Sequence, residues 1–245
     1  MIPVPLRVSQ AASAQAGTVD AAATIDAVIR TRKTVRAFRP DAVPRERLAE
    51  ILEIARMAPS TFNTQPWRVH VLAGEAKRVL SEAILRAHAA NAHPPFSPFP
   101  EPPVQECAAW QNDFGRRYYS ALGIERADTA ARGRQTGRNF LFFDAPIGLV
   151  FTIHASLTKH SWLDFGLFLQ NLMLAAHARG LSTCPQVSFV RYERVIAERL
   201  ALAADEAVVC GMSLGYADEQ APVNYLTMPR KPLPAFARWL GFDNE

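Results

Sequence analysis

The sequence lacks the features that several protein classes require. It has only three cysteines, Cys107, Cys184 and Cys210, and they form neither a CxxC pair nor a metal-ligand cluster. We therefore expect neither a disulfide framework nor a zinc site, and a reducing compartment, the cytoplasm, is the expected location. The six histidines show no ligand spacing either, so no bound metal is predicted.

Long apolar runs and a strong charge excess are also missing. No stretch approaches the roughly 20 apolar residues of a membrane-spanning helix, and 27 basic against 23 acidic residues give a formal net charge of +4. Because no stripe of Lys and Arg follows a predicted helix, we expect neither a membrane nor a nucleic-acid partner. The mild basic excess is compatible with small anionic ligands such as phosphates, nucleotides or carboxylates.

The sequence does contain an alternation of predicted helices and strands. Residues 1–19, rich in Ala and Ser, are predicted to form a flexible N-terminal arm or an extension that wraps a partner subunit. Apolar spacing predicts helices at 20–30, 44–58, 75–90, 162–179 and 190–200, and strands at 67–72, 147–154 and 207–214. This order favours one α+β domain over 20–245, an α/β sandwich.

Residues 92–140 interrupt that alternation. Six prolines between positions 94 and 103 exclude a regular helix or an interior strand there. The rest of the segment is predicted to be largely helical and polar. We interpret it as an insertion over the core rather than as a separate domain.

The first candidate for chemistry is a basic segment. Arg32, Lys33, Thr34 and Arg36 lie within five positions. A phosphate group needs cations and directional donors, and here Arg offers a fork, Lys a point charge and Thr a hydroxyl. The alternative is a solvated basic helix end that favours the C-terminal dipole.

Three further segments are rich in turn-forming or polar residues. Residues 58–67, Ala-Pro-Ser-Thr-Phe-Asn-Thr-Gln-Pro-Trp, precede a predicted strand and can present amide groups to a planar heterocycle. Residues 182–186, Ser-Thr-Cys-Pro-Gln, follow the long apolar helix and are predicted to be a loop. Residues 228–233 contain Arg230, a candidate second phosphate contact. Each segment alone is equally compatible with a plain turn or tail.

Together the four segments resemble the nitroreductase family, whose members bind FMN. The family pattern has Arg-x-Ser/Thr-x-Arg after the first helix, then Ala-Pro-Ser-x-x-Asn-x-Gln-Pro-Trp before a strand. Gly-Leu-x-x-x-Pro follows a central helix, and an Arg-Lys-Pro segment lies near the C-terminus. All four occur here in that order, at 32–36, 58–67, 180–185 and 230–232. The resemblance covers roughly residues 20 to 240.

The resemblance implies a mixed, mainly antiparallel central sheet flanked by helices, in an interlocked homodimer with FMN at the interface. Four residues would hold the phosphate and ribityl chain: Arg32, Lys33, Thr34 and Arg36, with Arg230 returning to the phosphate. Pro59, Ser60 and Asn63 would reach the flavin of the other subunit. Cys184, by its backbone, Pro185 and Gln186 would lie by the flavin N5 edge. The 92–140 insertion would cover the flavin, with Tyr118, Tyr119 and Arg138 as candidate substrate contacts, although a solvated helical face explains any one of them equally well.

The implied activity is reduction of nitroaromatic or quinone-type aromatic acceptors by NADPH or NADH, in a ping-pong hydride transfer through flavin N5. No protein acid or base is required, because the flavin carries the hydride. A nearby donor should stabilise the negative charge of reduced flavin at N1, and the sequence does not identify it. The alternatives are another reduction on this fold (an enone or a halogenated phenol), a flavin-consuming or flavin-binding role, or a basic interaction protein without catalysis.

Overall fold

The computed structural model describes residues 20–93 and 97–242, so the predicted arm at 1–19 lies outside the described residues. The chain divides into two compact units, one ending at Thr31 and one beginning at Arg32. In the first unit, helix α1 spans Ala21–Thr31, and the carboxylate of Asp20 accepts the N–H groups of Ala22 and Ala23. The predicted helix is confirmed, and Asp20 caps its first turn.

The second unit is built on a four-stranded antiparallel sheet. Its strands are β1 (Arg68–Ala73), β2 (Ile147–His154), β3 (Ser182–Gln186) and β4 (Glu206–Gly215), in the order β1-β2-β4-β3. β2 and β4 are central and almost wholly buried, as their continuous apolar sequences require. The expected mainly antiparallel sheet is confirmed, and its parallel component among the described residues is one bridge between Thr34 and Thr183.

Helices cover both faces of the sheet. One face packs against α2 (Arg45–Ala55) and α6 (Lys159–His177). The other packs against α3 (Gly74–Ala89), α7 (Glu193–Leu200) and the 3-10 turns that surround Phe140 and Phe189. On that face the backbone of β4 meets an aromatic ring, since a Cβ at Gly211 would lie 2.7 Å from the ring of Phe189. The glycine is what lets this ring lie flat on the strand.

Residues 182–186 are a strand, and the prediction of a loop there was wrong. Pro185 argues against a strand, because proline has no backbone N–H to donate to a neighbouring strand. β3 is an edge strand, however, and the carbonyl of Thr183 points away from β4 to accept the N–H of Val35 at 3.1 Å. Backbone orientation repeats every second residue of a strand, so the nitrogen of Pro185 also points away from β4. The N–H that proline lacks is therefore not one that the pairing with β4 requires.

The segment that was predicted as an insertion contains two helices. α4 spans Gln105–Ala121 and α5 spans Thr129–Gly137, followed by 3-10 turns over Arg138–Asp144. The carboxylate of Asp128 caps α5 by accepting the N–H of Ala131. The domain division of 20–245 with an insertion at 92–140 stays a prediction.

Within residues 20–93 and 97–242, every helix is too short or too polar to cross a bilayer.

Candidate functional site

The basic segment lies in extended conformation beside β3. Val35 is 1% exposed and anchors the segment in the core, and its N–H pairs with Thr183 as described above. The N–H of Arg36 donates to Oδ1 of Asn224 at 2.8 Å, while Nδ2 of the same amide donates to the carbonyl of Ala37 at 2.8 Å. The backbone of the segment is therefore fixed on both sides.

Four positively charged or titratable groups come together at this segment. Burial, followed by repulsion from Arg230, lowers the pKa of Arg32. Burial, followed by repulsion from Arg32 and Lys33, lowers the pKa of His177 at the end of α6. In the described part of the chain, Arg32, Lys33 and Arg230 form no ion pair with a carboxylate. Three cations, Arg32, Lys33 and Arg230, that lack an acidic partner among the described residues have the chemistry of an anion site.

The predicted pair Arg32 and Arg230 is thus brought together, although about 200 residues separate them. His177 was assigned no role from the sequence. Its position three residues before Gly180, at the end of the helix that precedes β3, is a signal that links it to the site.

Arg36 points to a different place from Arg32. Its guanidinium lies 5.2 Å from the ring of Phe114 and 5.1 Å from the ring of Tyr118, both on α4. These two rings stack on each other at 5.4 Å and 11°. Arg36 also partly offsets the burial that raises the pKa of the Cys184 thiol to about 11. A positive charge is therefore held between α4 and β3 by cation–π contacts.

The predicted substrate contacts have different environments. Tyr118 is buried, and its hydroxyl accepts a hydrogen bond from Nε2 of Gln135 at 2.7 Å. Tyr119 is half-buried under the guanidinium of Arg132, 4.2 Å from the ring centre. Arg138 pairs with Asp144 at 2.8 Å, and its buried Nε has no hydrogen-bond partner among the described residues. Their role toward a substrate stays a prediction.

The loop at 58–67 is rigid, strained and exposed. Phe62, Asn63 and Gln65 all have positive φ, between 46° and 58°, a conformation that is unfavourable for residues with a Cβ. The Oγ of Ser60 accepts the N–H of Gln65 at 3.0 Å, and Oδ1 of Asn63 accepts from the Gln65 side chain. Pro59 is exposed, and Phe62 is 97% exposed. The loop therefore presents a fixed shape outward.

Asp164 holds this loop and was not identified from the sequence. It is 5% exposed, on α6, and its carboxylate accepts the N–H of Thr61 at 3.0 Å and the Thr61 hydroxyl at 3.3 Å. Buried carboxylates are costly unless they accept such bonds. A lone acid inside the apolar run Trp-Leu-Asp-Phe is the signal that could have revealed it.

The three predicted residues of β3 alternate between core and surface. The Cys184 thiol is buried, so it is a packing residue rather than a reactive thiolate at neutral pH. The Gln186 side chain donates to the carbonyl of Asn139 at 2.6 Å and accepts from Ser213 Oγ at 2.9 Å. Only Pro185 faces outward, so any ligand beside β3 meets its ring and the backbone edge.

Comparison with known proteins assigns the chain to a family. Residues 29–216 match the model of the nitroreductase family, and the chain belongs to that family. A 4-nitrobenzoate reductase of Pseudomonas putida is 49% identical over 218 residues, which cover 89% of this chain and 96% of the relative. A chloronitrobenzene nitroreductase of Comamonas testosteroni is 42% identical over 219 residues, covering 88% and 96%.

A solved structure supports the same assignment. The FMN-dependent nitroreductase NfnB from Mycobacterium smegmatis, crystallised in complex with NADPH, superposes with a TM-score of 0.86 at 35% identity. The match covers 90% of this chain and all of that one. The predicted family and fold are therefore confirmed.

Proposed function

We propose that this protein is an FMN-dependent oxidoreductase that takes reducing equivalents from NADPH or NADH and reduces nitroaromatic or quinone-type acceptors. The names of the relatives support the cofactor and the acceptor class. The observation that carries the proposal is the cluster of Arg32, Lys33 and Arg230, cations that have no carboxylate partner among residues 20–93 and 97–242.

The residues present fit the phosphate of FMN. A phosphate monoester is close to a dianion at neutral pH and offers three strong acceptor oxygens. Arg32 and Arg230 would supply forked donors, Lys33 a point charge and Thr34 a hydroxyl. Without an anion these cations repel one another, so binding of a phosphate replaces repulsion with attraction. His177, whose pKa is lowered by burial and by repulsion from Arg32 and Lys33, would add a fifth donor.

The edge of β3 fits the ring system. Pro185 faces outward there, and Arg36 lies between β3 and α4 with its charge held by Phe114 and Tyr118. When bound, FMN would supply the centre that accepts a hydride from NAD(P)H and delivers it to the acceptor. We assign to Arg36 the role of stabilising the negative charge of the reduced ring. Tyr118 would then position Arg36 rather than contact the substrate.

We further propose that the protein works as a homodimer. The exposed large apolar side chains of the second unit include Phe62, Trp162, Leu163 and Leu167. The last three follow one another along α6, next to the loop that Asp164 holds. Exposed apolar patches of this kind typically mark an interaction surface. A second copy would cover them and bring its own Pro59, Ser60 and Asn63 toward the flavin.

The proposed location is the cytoplasm. All three cysteines are free, which suits a reducing compartment. The exposed Cys107 would otherwise be available for oxidation.

Three measurements test the proposal. The visible spectrum of the purified protein should show bound flavin, or the apoprotein should take up FMN. Stopped-flow mixing with NADPH and with NADH should bleach that flavin, and 4-nitrobenzoate, nitrobenzene and a benzoquinone should restore its colour. A colourless protein that takes up no FMN would refute the flavoprotein assignment. A flavin that neither nucleotide reduces would leave only a flavin-binding or flavin-consuming role.

The dimer has its own test. Sedimentation equilibrium should give twice the 27.1 kDa chain mass, and Leu163→Glu should yield monomers that retain FMN poorly. A wild-type monomer with full FMN affinity would contradict the shared site.

A further inference from the structure

A C-terminal strap, residues 224–231, runs beside the basic segment. It begins at Asn224, which is buried and whose Nδ2 donates to the carbonyl of Ala37 at 2.8 Å. The ring of the next residue, Tyr225, lies 5.7 Å from Nζ of Lys33, within the range of a cation–π contact. The first end of the strap is therefore fixed to the basic segment.

The other end of the strap is tied to α4. Nζ of Lys231 pairs with Oε1 of Glu106, in the first turn of that helix. A carboxylate at this place is also favoured by the N-terminal end of the helix dipole. The two side chains are 38% and 65% exposed, so the pair adds little to the stability of the fold. What the pair does determine is the position of the strap relative to α4.

Arg230 lies between the two fixed ends, one residue before Lys231. Its guanidinium donates to the carbonyls of Met228 and Pro229 at 2.9 and 3.3 Å, so the charged group is folded onto the backbone of the strap itself. The proline ring fixes φ at position 229, which limits the conformational freedom of this part of the strap. The place of the Arg230 guanidinium therefore follows the place of the strap.

The charge of Arg230 opposes this arrangement when no anion is bound. Its guanidinium is close enough to Arg32 for their repulsion to contribute, after burial, to the lowered pKa of Arg32. That repulsion tends to displace the strap from the basic segment. The ion pair of Lys231 with Glu106 joins the strap to a separate element and resists the displacement. A donor that is already in place when the ligand arrives loses less freedom on binding.

We propose that Glu106 and Lys231 are positioning residues for FMN. Their ion pair holds the strap so that Arg230 meets the phosphate beside Arg32, and neither of the two residues touches the flavin. This inference rests on the proposed FMN site and deepens it. Because α4 also carries the rings against which Arg36 lies, one helix would position cations for both ends of the cofactor.

The test compares FMN with riboflavin, which has the same ring system but no phosphate. Quenching of flavin fluorescence by the full-length apoprotein gives the Kd of each ligand. Glu106→Gln should weaken FMN binding by about 2- to 5-fold, the range expected for an exposed ion pair, and leave riboflavin binding unchanged. Loss of a carboxylate would by itself strengthen the binding of an anion. The sign of the change therefore separates positioning from a general charge effect.

Three companion variants make the test specific. Lys231→Met should weaken FMN binding as Glu106→Gln does, and the exchanged pair, Glu106→Lys with Lys231→Glu, should restore it. In an Arg230→Ala background Glu106→Gln should have no further effect, because no guanidinium is left to position. The matched control is Glu82→Gln, which breaks an exposed ion pair with Arg78 on α3 and should change the binding of neither ligand.

Unchanged or tighter FMN binding in Glu106→Gln would overturn the positioning role, and so would an equal loss of FMN and riboflavin. A Lys231 that contacts the phosphate itself would also overturn it, and would show as weaker FMN binding in Lys231→Met with tighter binding in Glu106→Gln. Arg230→Ala separates this inference from the proposed function. Wild-type FMN affinity in that variant would refute the phosphate site, whereas a loss there without a loss in Glu106→Gln would refute the positioning role alone.

Discussion

Removal of Arg230 should have opposite effects on the empty and the FMN-loaded protein. The guanidinium of Arg230 lies near that of Arg32, where it helps to lower the pKa of Arg32. Without a phosphate the two charges destabilise the fold, and with a phosphate both stabilise the complex. Arg230→Ala should therefore stabilise the apoprotein and weaken FMN binding.

The magnitudes follow from elementary electrostatics. In a water-like medium two unit positive charges repel by about 0.5–0.8 kcal/mol at separations of about 5–8 Å, and salt screens part of this. The apoprotein of Arg230→Ala should gain up to that amount in its free energy of unfolding. Loss of a charge-assisted contact to the phosphate costs about 1.5–3 kcal/mol, so FMN affinity should fall by about 10- to 150-fold.

Urea unfolding of the apoprotein at low and high salt measures the first effect, and quenching of FMN fluorescence measures the second. The control is Arg39→Ala, because Arg39 belongs to the same stretch of chain but pairs with Asp41 at 3.0 Å. That variant should leave FMN affinity unchanged. If Arg230→Ala destabilised the apoprotein, or retained wild-type FMN affinity, the anion-site reasoning would be wrong.

Three further predictions concern the surrounding structure. Asp164→Ala should leave the N–H of Thr61 unsatisfied and so release the loop at 58–67. The free energy of unfolding, measured in urea, should fall by about 1–3 kcal/mol, and FMN should dissociate faster. Gly211→Ala should cost about 1–3 kcal/mol by overpacking, since its Cβ would overlap a buried phenylalanine ring; Gly115→Ala, in open space within α4, should instead gain about 0.5–1 kcal/mol. At pH 8 the Cys184 thiol, with a pKa of about 11, should stay protonated and resist iodoacetamide, whereas the exposed Cys107 should react. Mass spectrometry of the peptides measures the labelling, and labelled Cys184 would contradict the prediction.

Much of the fold was predictable because its strands and helices have clear apolar periods. The strand at 147–154 was predicted with the bounds of β2, and the helix ends near Pro44 and Gly180 follow from backbone chemistry. β3 was not predictable in the same way. Proline is compatible with a strand only at an edge, and edge position depends on pairing with residues elsewhere in the chain.

The site residues, too, differ in whether a local sequence signal predicts them or only contacts with distant parts of the chain. Arg32 and Arg230 were predicted together only through the order of four motifs, because nothing local brings them into contact. Asp164 and Asn224 act through hydrogen bonds to backbone more than 100 residues away in sequence. Such partners leave no periodic pattern. Only a polar residue in an apolar run, as at Asp164, gives a local signal.

The order of the strands explains why these separate motifs serve one site. β3 lies at the edge of the sheet, so its outer side is open to the basic segment, which bridges to it at Thr34 and Thr183. That segment then directs Arg32 toward Arg230 and Arg36 toward α4. One short extended stretch thus connects the proposed phosphate site with α4, where the guanidinium of Arg36 lies against Phe114 and Tyr118. Changes at Arg36 should therefore affect both flavin binding and the packing of α4, whereas changes at Arg32 should affect flavin binding alone.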